Sequence, residues 1–136
     1  MIASLICVVS IAAFFEFLVL YCRSVVASTA RVQLSDRVRE VAGLGARSVG
    51  ADDFAHFLQL VRLCPEHDAD RTEICFVGAY YSLLNLASRL FRAVAPQVAA
   101  WVESERLGCS YFAAVMLDRR MSCSRDLFAH QASGNL

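Results

Sequence analysis

Cys64, His67 and Cys75 place three soft ligands within twelve residues, and nowhere else in this chain do donor type and spacing come as close to a metal site. A structural zinc site needs four such ligands in tetrahedral array. Here the fourth would have to be recruited from Cys109, Cys123 or His130, and Cys64-Pro65-Glu66-His67 matches none of the recurrent zinc spacings. The expectation is a helix terminus at Cys64-Pro65, a loop histidine and buried thiols, without metal or cofactor. Asp68-x-Asp70-x-Thr72 opens like a calcium loop, but its sixth position is Glu73 instead of glycine and its twelfth is Ala79 instead of glutamate. Calcium is excluded on that count.

Other chemistries fare no better. Cys64 beside His67 lacks the third, orienting group that an activated nucleophile requires. The glycines at 43, 45 and 50 match neither phosphate-binding pattern, and no strand precedes them. His56, His67 and His130 stand outside any Cys-x-x-Cys-His haem signature. An enzyme is not expected, and no small-molecule substrate suggests itself.

Glu16 is a different kind of reactive group. It interrupts the apolar run Ile2–Cys22, where an ionisable side chain is expensive and usually faces a protein partner or a water-filled cavity. Its neighbours one helical turn away are Ala12, Ala13, Val19 and Leu20, so no donor within its own helix answers it. A partner from another chain is the expectation.

The element that holds Glu16 is long enough to cross a bilayer: 21 apolar-rich residues span roughly 31 Å, against about 30 Å of hydrocarbon. Tyr21 and Arg23 then form an interfacial anchor. A cleaved leader is the rival reading, because Val25-Val26-Ala27 resembles a small-residue cleavage site. The missing basic n-region and the length of the apolar run argue for a retained helix. Arg23, Arg31, Arg37 and Arg39 follow the span and no arginine precedes it, which puts the N-terminus outside and the C-terminal domain in the cytoplasm. Cys7 and Cys22 belong to the span, and in that reducing compartment Cys64, Cys75, Cys109 and Cys123 are expected to be buried free thiols.

The rest of the chain amounts to one modest domain. All 13 basic residues are arginine, 13 acids balance them, and no basic face large enough for nucleic acid emerges. Ala27, Ala30, Leu34, Val38 and Val41 continue the helical period, so the span is expected to run on as an amphipathic stalk until the glycines break it. A short helix should begin at Asp52 or Asp53 and stop at Cys64-Pro65. Asp70 and Glu73 read as the capping pair of a long helix over 70–94 that forms the centre of the domain, with Ile74, Val77, Tyr81, Leu84 and Phe91 in one apolar row and Phe76, Tyr80, Leu83, Ala87, Leu90 and Val94 in the next. Pro96 opens another helix to about residue 120, packed back as a hairpin, and 126–130 has the length for one more short helix.

The expected architecture is therefore all-α: a transmembrane helix over 1–23, a stalk and hinge over 24–50, and a helical soluble domain over 51–136. Besides Glu16, Tyr21 and Arg23, the aromatics Tyr80, Trp101, Tyr111 and Phe128 are the residues offered as partner contacts, set against ordinary core packing. The leading expectation is a non-catalytic single-pass subunit of a larger membrane complex, for instance an energy-converting one, bound to other membrane subunits and to lipid. A membrane-tethered module that captures a soluble partner is the alternative, and a metal or redox carrier built on Cys64 the weaker third.

Overall fold

Nothing in the N-terminal apolar run breaks a helix, and in the computed structural model, which describes residues 2–65 and 68–133, that run forms a single helix, α1 (Ile2–Thr29). Four more follow: α2 (Asp36–Val41), α3 (Phe54–Leu63), α4 (Asp68–Phe91) and α5 (Pro96–Ser133). The fold is all-α, with no strand among the described residues.

α1 passes Arg23 but ends sooner than the stalk pattern implies. The hydroxyls of Ser28 and Thr29 donate to the carbonyls of Val25 and Val26 at 2.7 and 2.8 Å, a local competition that disfavours further helix. Residues 30–35 are then held from outside, by Tyr111, whose hydroxyl donates to the Val32 carbonyl, and by Asp118, which accepts from the Ser35 hydroxyl at 2.6 Å. The buried stripe is accordingly Leu18, Cys22, Val26 and Thr29, and Ala27 and Ala30 of the expected stripe face outward. Val38 is buried, but from the separate helix α2.

The break at the glycines has a defined geometry. Gly43 adopts φ +65°, its N–H bonds the Glu40 carbonyl, and the N–H of Leu44 reaches back to Arg39. These two bonds close α2 in a Schellman motif, and Leu44 supplies the apolar plug that accompanies it, buried at 5% exposure.

α3 begins after Asp53 and ends before the extended Cys64, as the Pro65 signal implies. α4 starts at Asp68, so Asp70 lies inside its first turn and its carboxylate pairs with Arg119 and Arg120 instead of capping the helix. Val77, Tyr80, Tyr81 and Leu84 of α4 are buried, whereas Leu90, Phe91 and Val94, expected in the same apolar rows, stay bare. α4 and α5 form the expected hairpin, joined by residues 92–95 with Pro96 opening α5. No glycine or proline stands between Arg120 and His130, and the short terminal helix expected there is the continuation of α5.

The centre of the bundle is α5, not α4. Each of the other four helices packs on α5. Between Cys109 and Leu117 it is apolar almost all round, the pattern of a helix enclosed by others, and Tyr111 is the one residue there not fully buried. Both α1 and residues 70–91 of α4 have the length and apolarity to cross a membrane. They differ in cover: α4 turns its middle into the core, and residues 2–17 of α1 touch nothing that buries them.

Candidate functional site

The site that the bundle builds most deliberately is the junction where α1 enters it. Cys22 is fully buried, and its thiol donates to the Phe76 carbonyl of α4 at 3.6 Å. Tyr21 meets the Phe76 ring edge-on, with centroids 5.7 Å apart. One turn on, Val26 lies so close to α5 that a Cβ at Gly108 would come within 2.7 Å of its Cγ1. Glycine at 108 is thus what allows the two backbones to meet, and this outweighs the roughly 1 kcal/mol that glycine costs inside a helix.

Charge closes the junction on the outside. The guanidinium of Arg23 pairs with Glu105 at 3.2 Å and lies over the Trp101 ring, 6.0 Å from its centroid. Glu105 also accepts from the Tyr80 hydroxyl at 3.1 Å, so one carboxylate ties α1, α4 and α5 together. Burial pushes the Tyr80 phenol upward, and the negative Glu105 adds to the rise, which keeps Tyr80 a neutral donor. Next to this, burial pushes the Cys109 thiol up to about 12, with the nearby Cys22 and Glu105 reinforcing the effect. Such thiols are inert, not nucleophilic.

Two arginines fasten the remainder. Arg106, buried on α5, donates through Nη1 to both oxygens of Glu103 at 2.8 and 2.9 Å and through Nη2 to Asp52 and the Tyr81 hydroxyl. Tyr81 in turn donates to the Ala51 carbonyl at 3.0 Å and stacks on Phe54 with centroids 4.2 Å apart, so the loop before α3 is pinned to α4 and α5. Burial alone would lower the Arg106 pKa, but the bonds to Tyr81 and Asp52 outweigh it and the group stays charged. Arg120, also buried, donates to the Val61 carbonyl at 3.1 Å and faces Asp70 at 3.7 Å, placing a cation at the C-terminal end of α3. Sequence spacing gave no sign of either group, since Arg106 and Asp52 lie 54 positions apart.

Of the residues offered as contacts, Tyr21, Arg23 and Trp101 meet at this junction, and Trp101 keeps 43% of its surface exposed. Tyr80 is buried in the core of this chain. Tyr111 secures residues 30–35, and Phe128 sits bare on the distal part of α5. Glu16 is exposed on α1, with no hydrogen bond or ion pair to the described residues. Among the described residues no three His, Cys, Asp or Glu side chains gather as metal ligands, and His67 lies outside the described residues. Cys64 is half-buried and Cys75 exposed.

No family model, curated protein or solved structure matches this chain. One further feature bears on partners. A cleft of about 720 Å³ opens where α1, α2 and α5 converge, lined by Val26, Ala30, Leu34, Val49, Leu107 and Tyr111, with Asp36 and Arg39 among its polar groups.

Proposed function

We propose that this chain is a non-catalytic, single-pass subunit of a larger membrane complex, which α1 anchors and whose neighbours the helical bundle holds or orients. The observation that carries the reading is the division of α1: residues 2–17 are apolar and uncovered, while Leu18, Cys22, Val26 and Thr29 are buried in the bundle. Cleavage after Ala27 would strip three of those four side chains from the core, which speaks for a permanent anchor. Glu16 stands in the uncovered stretch without a partner in its own chain, and a polar group on a neighbouring subunit would relieve it.

Gentle detergent extraction followed by mass spectrometry of the intact assembly tests this reading. The chain should emerge bound to integral membrane proteins, and a chain that emerges alone with lipid overturns the proposal. We further propose, from the arginines at 23, 31, 37 and 39, that the bundle lies on the cytoplasmic side. An impermeant thiol reagent should therefore spare the exposed Cys123 in intact cells and label it after permeabilisation; labelling from outside reverses the orientation.

The cleft beside α2 favours a second reading, a tethered module that captures a soluble partner. Such a partner would be shed by salt without detergent, whereas a membrane neighbour would not.

A further inference from the structure

Between α3 and α4 the bundle leaves a second opening. Both helices pack on α5 and keep their backbones apart. The groove between them holds about 600 Å³, within the size range of small-ligand sites. Arg62 of α3, Arg71 of α4 and Arg120 of α5 line it, and no acid does among the described residues. The cleft beside α2 sets Asp36 against Arg39 and is balanced in charge, whereas this groove is not.

The arginines stand at one end of the groove. Arg120 donates to the Val61 carbonyl at 3.1 Å and faces Asp70 at 3.7 Å, and Arg62 and Arg71 are the residues that follow these two partners in the chain. Arg120 is 6% exposed, so its charge has to be answered inside the protein. The answer at hand is incomplete. Asp70 lies beyond hydrogen-bond range and is shared with Arg119 at 3.9 Å, and the Arg120 Nε has no hydrogen-bond acceptor among the described residues. Away from the arginines the groove turns apolar: Leu58 and Ile74 line it, and the stacked rings of Phe54 and Tyr81 stand about 15 Å along, the rise of α4 from Arg71 to Tyr81. Gly78 lies on this lane, and a Cβ there would meet nothing within 4 Å. Unlike Gly108, this glycine answers no close packing against the described residues, although glycine is unfavourable inside a helix. Its bare backbone widens the lane.

We propose that the groove between α3 and α4 binds a single-chain amphiphilic anion, a carboxylate or phosphate head on one hydrocarbon tail. The head sits among Arg62, Arg71 and Arg120, since guanidinium groups pair bidentately with either kind of oxyanion. The tail runs past Ile74 and Gly78 toward Phe54 and Tyr81. A small ligand is favoured over a protein segment because the charge to be answered is buried on α5, at the floor of the groove, and because apolar walls with a few convergent polar groups are the make-up of small-ligand sites. The inference does not depend on α1 spanning a membrane.

Cys75 lines the same groove and is exposed, so it reports on occupancy, and the exposed Cys123 outside the groove serves as control. The full-length protein is held in a steroid detergent, which brings no alkyl chain of its own. N-ethylmaleimide labelling of each cysteine is then timed by peptide mass spectrometry with dodecanoate, dodecyl phosphate or dodecyltrimethylammonium added. An anion at about ten times its Kd should slow Cys75 about tenfold, because only the unoccupied fraction reacts, and should leave Cys123 unchanged. The cation should slow neither. Protection by dodecanoate alone assigns the site to a free fatty acid, protection by dodecyl phosphate alone to a lysophospholipid-like anion, and protection by both to the anionic head as such. Arg62→Glu with Arg71→Glu, both at exposed positions, should abolish the protection, and so should Gly78→Leu, which fills the lane where a side chain displaces nothing. Equal slowing of Cys75 by the cation, equal slowing of Cys75 and Cys123, or no slowing by either anion overturns the proposal. In the last case an acidic peptide that protects Cys75 would give the groove to a protein partner.

Discussion

The two halves of α1 are continuous in backbone and opposite in surroundings. Residues 2–17 are, Glu16 and two serines apart, apolar on every side and covered by no other described element, whereas from Leu18 onward one stripe is buried and the opposite face, with Leu20, Arg23 and Ser24, is open. All-round apolarity is the mark of a helix in a uniform apolar medium, and a stripe that of a helix on a protein surface. The change from one to the other at Leu18 shows how far the bundle reaches along α1, and mean hydropathy across the run does not reveal it.

The strongest way to break the comparison is to put the same charge into each half. Val26→Asp buries an unpaired carboxylate between α1 and α5 and should cost at least about 4 kcal/mol, enough to unfold the bundle as followed by chemical denaturation in detergent. Val9→Asp should leave that unfolding curve in place and instead reduce membrane insertion, by about 2.5 to 3.5 kcal/mol if position 9 lies near the bilayer centre. Equal effects on both measurements would abolish the distinction between the halves.

Leu84→Ala probes the bundle without touching α1, and deletion of this buried side chain should cost about 2 to 5 kcal/mol. Arg89→Ala, on the exposed face of the same helix, should shift the transition within about 0.5 kcal/mol.

Cys109 sharpens the comparison through pH. The folded state holds its thiol protonated to about 12, while the unfolded chain releases that proton near 9.0, so above 9 the native state binds more protons and stability falls. The contribution is whole below about pH 9 and is lost as the pH rises toward about 12. Thermal unfolding of wild type against Cys109→Ala across that window should converge as the pH rises, and Cys109 should resist thiol reagents near neutrality while Cys123 reacts.

Gly108→Ala tests the contact by which the inner half of α1 meets α5. The added methyl encroaches on Val26 and should cost about 1 to 3 kcal/mol, and Val26→Ala in the same protein should recover part of it, a non-additivity readable from a double-mutant cycle.

The smallest effect belongs to the outer half. Glu16→Leu should leave the protein in the membrane yet weaken its retention by neighbouring subunits during detergent washing, by about 0.6 to 1.7 kcal/mol, whereas Glu16→Gln should keep it. Equal retention of the Leu variant would mean that Glu16 faces lipid.

Local signals in the sequence were reliable here. Pro65 and Pro96 mark a helix end and a helix start, Gly43 marks the close of α2, and Leu84 and Val77 fall in the core as their spacing implies. What spacing does not carry is the identity of the cover. Leu90 and Val94 obey the same period as Tyr80 and Leu83, but the hairpin ends before anything reaches them. The arginine clusters were equally hidden, because Arg106 finds Asp52, and Arg120 finds the Val61 carbonyl, only after α3 has packed on α5. Asp70 shows the same limit from the other side: its local pattern suggests a cap, and a tertiary arginine claims it.

The entry of α1 into the bundle also bears on the order in which the protein is made. Val26 leaves the ribosome roughly eighty residues before Gly108, a delay of about 4 to 16 s at ordinary elongation rates. Through most of that interval neither α4 nor α5 is complete to cover Leu18, Cys22 and Val26, and on the membrane-anchored reading the lipid receiving the residues before them is the nearest shelter. On that reading the bundle assembles last, with α5 closing onto an anchor that is already in place, so that insertion comes before folding and the membrane serves as a temporary chaperone for the unfinished core.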